Sequence, residues 1–301
     1  GADMLISLGG SSTADAAKGI NLALAEAETP EAFFARFDRS EFTLPGSLRA
    51  TEFSQPKLPF IAIPTTLSGG EFTAGAGITD TVRRHKDVSY DDGVTARVVI
   101  LDPELTVHTG RELWASTAMK SLADCFEVVC SLRHQPFADA LSLHAARLIN
   151  HYLLPSIAEP MDMGARALLQ HAAGMSLQGL GSVGGGVVAA LRHQIGAIYD
   201  VPHGVASTIV LPHGLSFNRP EVDERLALVA TALGLHSADA AIDRVRQLVA
   251  AAGLPARLRD VGVPREGIQV IARASSTDHQ VRNNPKPVSE EQLISVLAQA
   301  W

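Results

Sequence analysis

Apolar positions in the first hundred residues come in short runs separated by polar breaks, with β-rich segments at Met4–Leu8, Phe60–Ile63 and Val98–Leu101. Between the first two, Ala14–Ala27 repeats with a helical period and sets Ile20, Ala23, Leu24 and Ala27 on one face. Strands alternating with helical stretches predict parallel strands covered by helices. After Asp102-Pro103 the apolar spacing becomes three and four for most of the chain. That period predicts helices over Gly110–Leu132, Phe137–Leu154, Met163–Gly179, Val187–Tyr199, Glu221–Leu233, Ser237–Ala252, Arg265–Ala274 and Ser289–Ala300. The expected architecture is α/β plus all-α, with a parallel-sheet domain over residues 1–104 and a helical domain over 105–301. No internal repeat is visible. The stretch between Ala27 and Leu58 is mixed and holds Phe33, Phe34, Phe37 and Phe42; a helix near Pro30–Phe37 followed by a loop is expected there, with no assignable chemistry.

Composition narrows the function classes. A chain of 301 residues, 46% hydrophobic and 19% charged, can bury one large core or two modest ones. A net charge of −7 and a pI near 5.9 lack the basic excess that a phosphate backbone requires, so nucleic acid is set aside as a partner. No apolar run approaches the ~18 residues a spanning helix needs, and no basic-then-apolar leader opens the chain, so no membrane partner and a cytoplasmic setting are expected. Cys125 and Cys130 stand five apart in one predicted helix, a spacing that suits neither a disulfide framework nor a zinc knuckle, and reduced thiols are expected. The chain enters its first strand almost at Gly1, which raises the expectation that an upstream part is missing.

Three segments carry candidate chemistry. In Leu8-Gly9-Gly10-Ser11-Ser12-Thr13-Ala14-Asp15 a strand runs through two glycines and hydroxyl residues into a helix. Such a junction is either an anion cradle, where bare N–H groups and the helix dipole attract a phosphate, or an ordinary capped turn. A second junction of the same kind follows in Pro64-Thr65-Thr66-Leu67-Ser68-Gly69-Gly70-Glu71. Two polar loops at the carboxyl edge of one parallel sheet favour a nucleotide over mere turns. In the third segment, Arg192-His193-Gln194-Ile195-Gly196-Ala197-Ile198-Tyr199-Asp200-Val201-Pro202-His203-Gly204, His193 and His203 stand ten apart on either side of a helix end, beside a Pro and Gly break, as structural residues or as metal ligands or proton donors converging on one cavity. His213 either joins them or caps a helix.

Taken together these segments resemble the iron-containing alcohol dehydrogenase family, whose pattern has a glycine-serine loop, a Pro-Thr-Thr loop and a Pro-His-Gly turn in this order. Asp102-Pro103-Glu104-Leu105-Thr106 and Asn284-Pro285-Lys286-Pro287 extend the likeness over nearly the whole chain, and the short second loop is more similar to the maleylacetate reductase branch. The resemblance implies a partial Rossmann-like nucleotide domain followed by a helical domain, as in dehydroquinate synthases, with NAD or NADP bound in the cleft and hydride exchanged with a small carbonyl or oxo-acid substrate. It implies that Gly9, Gly10, Ser11, Ser12 and Asp15 line the pyrophosphate and ribose with Thr65, Thr66 and Ser68 nearby, that Lys86, Arg83 or Arg84 adds positive charge, and that the protein is a homodimer. Family members also carry further βα units ahead of the first glycine loop.

The departures concern the metal. Metal-dependent members hold the ion with an Asp and a His one helical turn apart and with two further histidines; those positions fall here on Lys120, Asp124, Ala189 and His203. One imidazole and one carboxylate beside an ammonium are too few ligands with an adverse charge, so no bound metal is expected. Lys120 and Asp124 can pair across one helical turn, either as a weak surface pair or as a fixed cation in place of the metal charge. His193 corresponds to the family histidine beside the nicotinamide and is a candidate proton donor, with Lys120, His203 and Asp124 completing the catalytic set. The expected activity is a metal-independent NAD(P)H-dependent reductase. A lyase or isomerase on the same scaffold, or a non-catalytic remnant that binds a metabolite or a partner, are the alternatives.

Overall fold

The computed structural model describes residues 1–27, 29, 31–32, 53–80 and 85–301. The helix expected near Pro30–Phe37 and the cations Arg83 and Arg84 lie outside the described residues.

Strands β1 (Leu5–Gly9), β2 (Phe60–Pro64) and β5 (Val98–Val99) form one parallel sheet in the order β1-β2-β5. The period-2 pattern explains its two faces. Leu5 and Ser7 pair with Phe60 and Ala62 on the face that packs on Ala14 and Ala17 of helix α1 (Ser11–Glu26). Ile6 and Leu8, with Val98 and Ile100, face the other way and are exposed. β5 is shorter than the expected run to Leu101. Helix α1 begins at Ser11 instead of Ala14, which moves Ser11, Ser12 and Thr13 into its first turn.

An antiparallel hairpin, β3 (Gly75–Asp80) and β4 (His85–Tyr90), was not expected. Glycine and charge deplete both strands of the usual β-formers. What holds them is burial of Ala76 and Ser89 and the packing of β3 against α1.

Beyond residue 104 the chain is helical: α2 (Arg111–Cys130), α3 (Pro136–Ala158), α4 (Met163–Val183), α5 (Val187–Tyr199), α6 (His203–Ala232), α7 (Ala238–Ala252), α8 (Gly267–Ser276) and α9 (Glu290–Ala300). Helix α2 runs through the centre and is buried on nearly all sides against α3, α4 and α6. A helix buried all round normally carries apolar residues throughout; this one also carries Lys120, Asp124 and Glu127, whose burial has to be compensated. Helix α6 corrects the expected boundaries. The run begins at His203, passes Pro212 and Pro220, and kinks at Val222, where φ is −131° and ψ is 24°. The expected helix over Glu221–Leu233 is only its last stretch. Burial of Val205, Ala206, Ile209, Val210 and Leu211 overrides the glycines and prolines that weakened the local signal. Among the described residues no single helix is long and apolar enough to cross a membrane.

Candidate active site

The two polar loops meet at the carboxyl edge of β1 and β2. Thr65 N donates to Gly9 O at 2.9 Å, Ser11 Oγ donates to Ser68 Oγ, and Thr66 and Ser68 share a hydroxyl contact at 2.9 Å. Gly9 has φ of 150°, and a methyl group on Gly10 would stand 3.0 Å from Thr66 Cγ2, so a side chain at either position would disturb the loops. No side chain caps α1, which leaves N–H groups of its first turn facing this edge. Ser12 is exposed on that turn. Asp15 points elsewhere: one of its oxygens accepts from Gly77 N at 3.2 Å, tying α1 to β3. Lys86 lies on β4, paired with Thr79 across the hairpin.

The second loop is held by the helical part, which supplies partners for backbone groups that burial would otherwise orphan. Thr109 donates to Thr65 O at 2.7 Å and Gln170 to Pro64 O at 3.2 Å. Thr117 Oγ1 accepts from Leu67 N at 3.1 Å and Ser121 Oγ donates to Leu67 O at 2.6 Å. Lys120 Nζ donates to Ser68 O at 3.0 Å. From below, the buried Lys18 ammonium donates to Gly70 O, Thr73 Oγ1 and Gly75 O, using all three of its hydrogens. Beside these two lysines, burial pushes the Glu71 carboxyl up to about 7.

Behind the loop lies a charged cluster. Asp124 is fully buried, with Lys120 Nζ 2.7 Å from Oδ2 and Arg192 Nη1 2.6 Å from Oδ1. Burial alone would raise this carboxyl, but Arg192 and Lys120 overcome it and hold the group below its ordinary range. The expected pair of Lys120 and Asp124 therefore exists, and it is not a surface pair. One turn further along α2, Glu127 accepts from the backbone N–H groups of Gly186, Val188 and Ala189 and so caps α5. Burial nevertheless pushes Glu127 up to about 7. Ala189 presents a buried methyl group in that first turn. Among the described residues no group of three or more His, Cys, Asp or Glu is arranged to hold a metal ion.

His193 follows Arg192 on α5, and its side chain is 30% exposed. Its Nδ1 is 3.2 Å from Asp278 Oδ2, its ring centroid is 5.7 Å from that of His203 at the start of α6, and 6.3 Å from that of His279. Burial, with Arg282 and His193 nearby, lowers the His279 pKa. His213 does not join them and caps nothing. It lies inside α6, where burial and Arg246 push it down to about 4. The structure thus brings His193 beside His203, Lys120 beside Asp124 and Ser68, and Gly9, Gly10, Ser11, Thr65, Thr66 and Ser68 to one sheet edge. Arg192, Asp278 and His279 were not foreseen. Arg192 precedes His193 in the sequence, yet nothing local marks it as buried, and Asp278 and His279 belong to no motif.

A parallel sheet whose carboxyl edge carries two glycine-hydroxyl loops, with Lys120 of the helical part set against the second, defines an α/β-plus-helical architecture with a ligand site at that edge. The chain belongs to the iron-containing alcohol dehydrogenase family: a model described as iron-containing alcohol dehydrogenase matches residues 1–103 and one described as the C-terminal part of that family matches residues 114–301. It is 33% identical over 303 residues to the probable alcohol dehydrogenase EutG of Escherichia coli (strain K12), covering 100% of this chain and 73% of that protein. It is 32% identical over 247 residues to the maleylacetate reductase of Burkholderia cepacia, covering 81% and 67%. The crystal structure of sulfoacetaldehyde reductase from Bifidobacterium kashiwanohense in complex with NAD+ superposes with a TM-score of 0.86 at 26% identity, covering 99% of this chain and 76% of that one.

Proposed function

We propose that this oxidoreductase reduces a small carbonyl or oxo-acid with NAD(P)H and without a metal ion. The observation that carries the reading is Lys120. Its ammonium has three donors; Ser68 O and Asp124 Oδ2 face two of them, and the side chain stays 12% exposed, which leaves one donor for the cleft. The residues at the family's metal positions do not fit a divalent ion. Both oxygens of Asp124 face cations, Ala189 has no donor, and His203 alone offers an imidazole.

A dinucleotide does fit. The Gly9-Gly10 turn, the uncapped start of α1 and the hydroxyls of Ser11, Ser12, Thr65, Thr66 and Ser68 offer backbone approach, N–H groups and polar contacts for a pyrophosphate. A dinucleotide held there would supply hydride for the carbonyl carbon. As negative charge grows on the carbonyl oxygen, Lys120 and His203 stabilise it, and His193 delivers a proton to it from Nε2, since Nδ1 faces Asp278. The likeness to NAD-linked relatives supports the cofactor, and the paired loops support where it binds.

Two measurements test the reading. Titration with NADH and NADPH, followed by fluorescence, is expected to show saturable binding that weakens when Ser68 is replaced by Val. Protein purified without chelator is expected to carry substoichiometric iron and zinc yet to turn over a panel of aldehydes, ketones and oxo-acids. Stoichiometric metal that disappears in His203→Ala overturns metal independence, and failure to bind either dinucleotide overturns the reductase reading.

A further inference from the structure

We propose that Asp278 is a positioning residue for the proton transfer, and that it acts by dictating which nitrogen of His193 carries the resting proton; the inference rests on the role of His193 just described. The carboxylate divides its work oxygen by oxygen. Oδ1 accepts from Gln280 N at 3.0 Å and caps the short helix His279–Asn283. That task any Ser, Asn or Asp can perform. Oδ2 lies on the other side, where it accepts from Gln194 Nε2 at 3.0 Å and faces His193 Nδ1 at 3.2 Å. Asp278 is 7% exposed, so neither oxygen depends on bulk water for its partners.

The chemistry follows from what a carboxylate can do. It only accepts, so the nitrogen that faces it must carry hydrogen. Neutral His193 is thereby held as the Nδ1–H tautomer with the Nε2 lone pair turned to the cleft. In the reductive direction the imidazolium breaks its Nε2–H bond as the O–H bond of the product alcohol forms, and it returns to that same neutral tautomer with no rearrangement at Nδ1. In the oxidative direction Nε2 accepts the alcohol proton. The ionisable groups around the dyad are Arg192, with its partners Asp124 and Glu127, on one side, and His279 with Arg282 on the other, while His203 faces the ring across the cleft. None of them reaches Nδ1 in place of Asp278. His279 Nδ1 is 3.5 Å from Oδ1, so it shares the carboxylate without displacing His193.

Asp278→Asn separates the two tasks. Its amide oxygen can still cap Gln280 N, while its NH2 group donates to His193 Nδ1 and forces the hydrogen onto Nε2, and the Gln194 amide turns its oxygen toward that NH2 group. The expected result is a melting temperature lowered by no more than a few degrees, an unchanged KM for the dinucleotide, and a kcat lowered by about 100-fold or more, because the wrong nitrogen is protonated in a folded site. Asp278→Ser keeps a cap but does not reach His193, and serves as the second variant should Asn perturb folding. The decisive readout is nitrogen-15 NMR of the histidine rings, with the His193 signals identified by their loss in His193→Gln. Wild-type protein is expected to show Nδ1 protonated at high pH, and Asp278→Asn to show Nε2 protonated. A His193 that carries its proton on Nε2 in the wild type, or a tautomer and kcat that Asp278→Asn leaves alone, overturns the proposal. The tautomer measurement needs no turnover, so a failure of the reductase reading would show in the activity assay and leave this one to be judged separately.

Discussion

Replacing Lys120 by Met removes one ammonium while keeping the length and apolar stem of the side chain. Its position sets the magnitude. A unit charge about 3 Å from a developing oxyanion, at an effective dielectric near 20, is worth up to about 5 kcal/mol. Removal of a single donor aimed at such an oxygen typically lowers kcat by about 10²–10³, or roughly 3–4 kcal/mol, and that is the expected loss. The effect on stability is separate. Asp124 is fully buried and Lys120 12% exposed, so the lost pair is not a surface one, and with Arg192 still at 2.6 Å its loss should cost about 2 kcal/mol and several degrees of melting temperature.

The assay is steady-state reduction over the carbonyl panel, with the melting temperature measured on the same samples. Lys120→Arg is the control that keeps the charge, and it should recover part of kcat while Lys120→Met does not. An unchanged kcat in Lys120→Met refutes the reasoning. A loss confined to KM refutes it as well, since that pattern marks binding felt equally by ground and transition state.

Three further outcomes follow from the same geometry. Arg192→Met leaves a buried carboxylate with one cation, and urea unfolding should show a loss of about 3 kcal/mol at pH 7. Asp124 is held below its ordinary range, so its stabilisation is present above the unfolded value near 4 and is lost as pH falls through the folded one; the gap between variant and wild type should therefore narrow below about pH 4. Glu71 has the opposite sign: raised to about 7, it stabilises fully below its unfolded value near 4.5, and that contribution disappears as pH rises through 7. Glu71→Gln should thus flatten the stability profile between these limits and gain about 2 kcal/mol at pH 8, and parallel profiles for variant and wild type would contradict it. Gly10→Ala sets a methyl group 3.0 Å from Thr66 Cγ2, and the dinucleotide Kd should rise by about tenfold with little change in melting temperature.

What was legible in the sequence was local. A period of 3.6 marks α2 to α5, the last stretch of α6 and α7 to α9 because each buries one face or more, and the glycine-hydroxyl breaks mark the ends of β1 and β2 because such residues turn the chain sharply after a strand. The first half of α6 was not legible, since Pro212, Gly214 and Pro220 argue against a helix unless the packing around Ile209 and Leu211 is known. Lys120 and Asp124 could be paired because a single helical turn separates them. Arg192 lies 68 residues from Asp124 and Asp278 lies 85 from His193, so no periodicity connects them and only the fold does.

Arg192 changes how the replaced metal site is understood. In the ligand pattern of metal-dependent relatives, a divalent cation beside one aspartate sums to one positive charge. Here Lys120 and Arg192 beside Asp124 sum to the same value. Lys120 alone would leave the site neutral and its ammonium satisfied by Asp124; Arg192, held at 2.6 Å on the other oxygen, shares that carboxylate and returns a net positive charge to the cluster. On the proposed metal-free reading, this arrangement would retain the field that stabilises an oxyanion and give up coordination, so that a directional N–H, not an open ligand position, would bind the substrate oxygen. It follows that the two cations should not be interchangeable. The charge of Arg192 cannot replace the ammonium in Lys120→Met, because Arg192 is 3% exposed and held on Asp124 Oδ1, and the double variant Lys120→Met/Asp124→Asn, which restores the net single positive charge, is expected to be as slow as Lys120→Met alone. Recovery of kcat in that double variant would mean that net charge suffices and that the position of the ammonium does not matter.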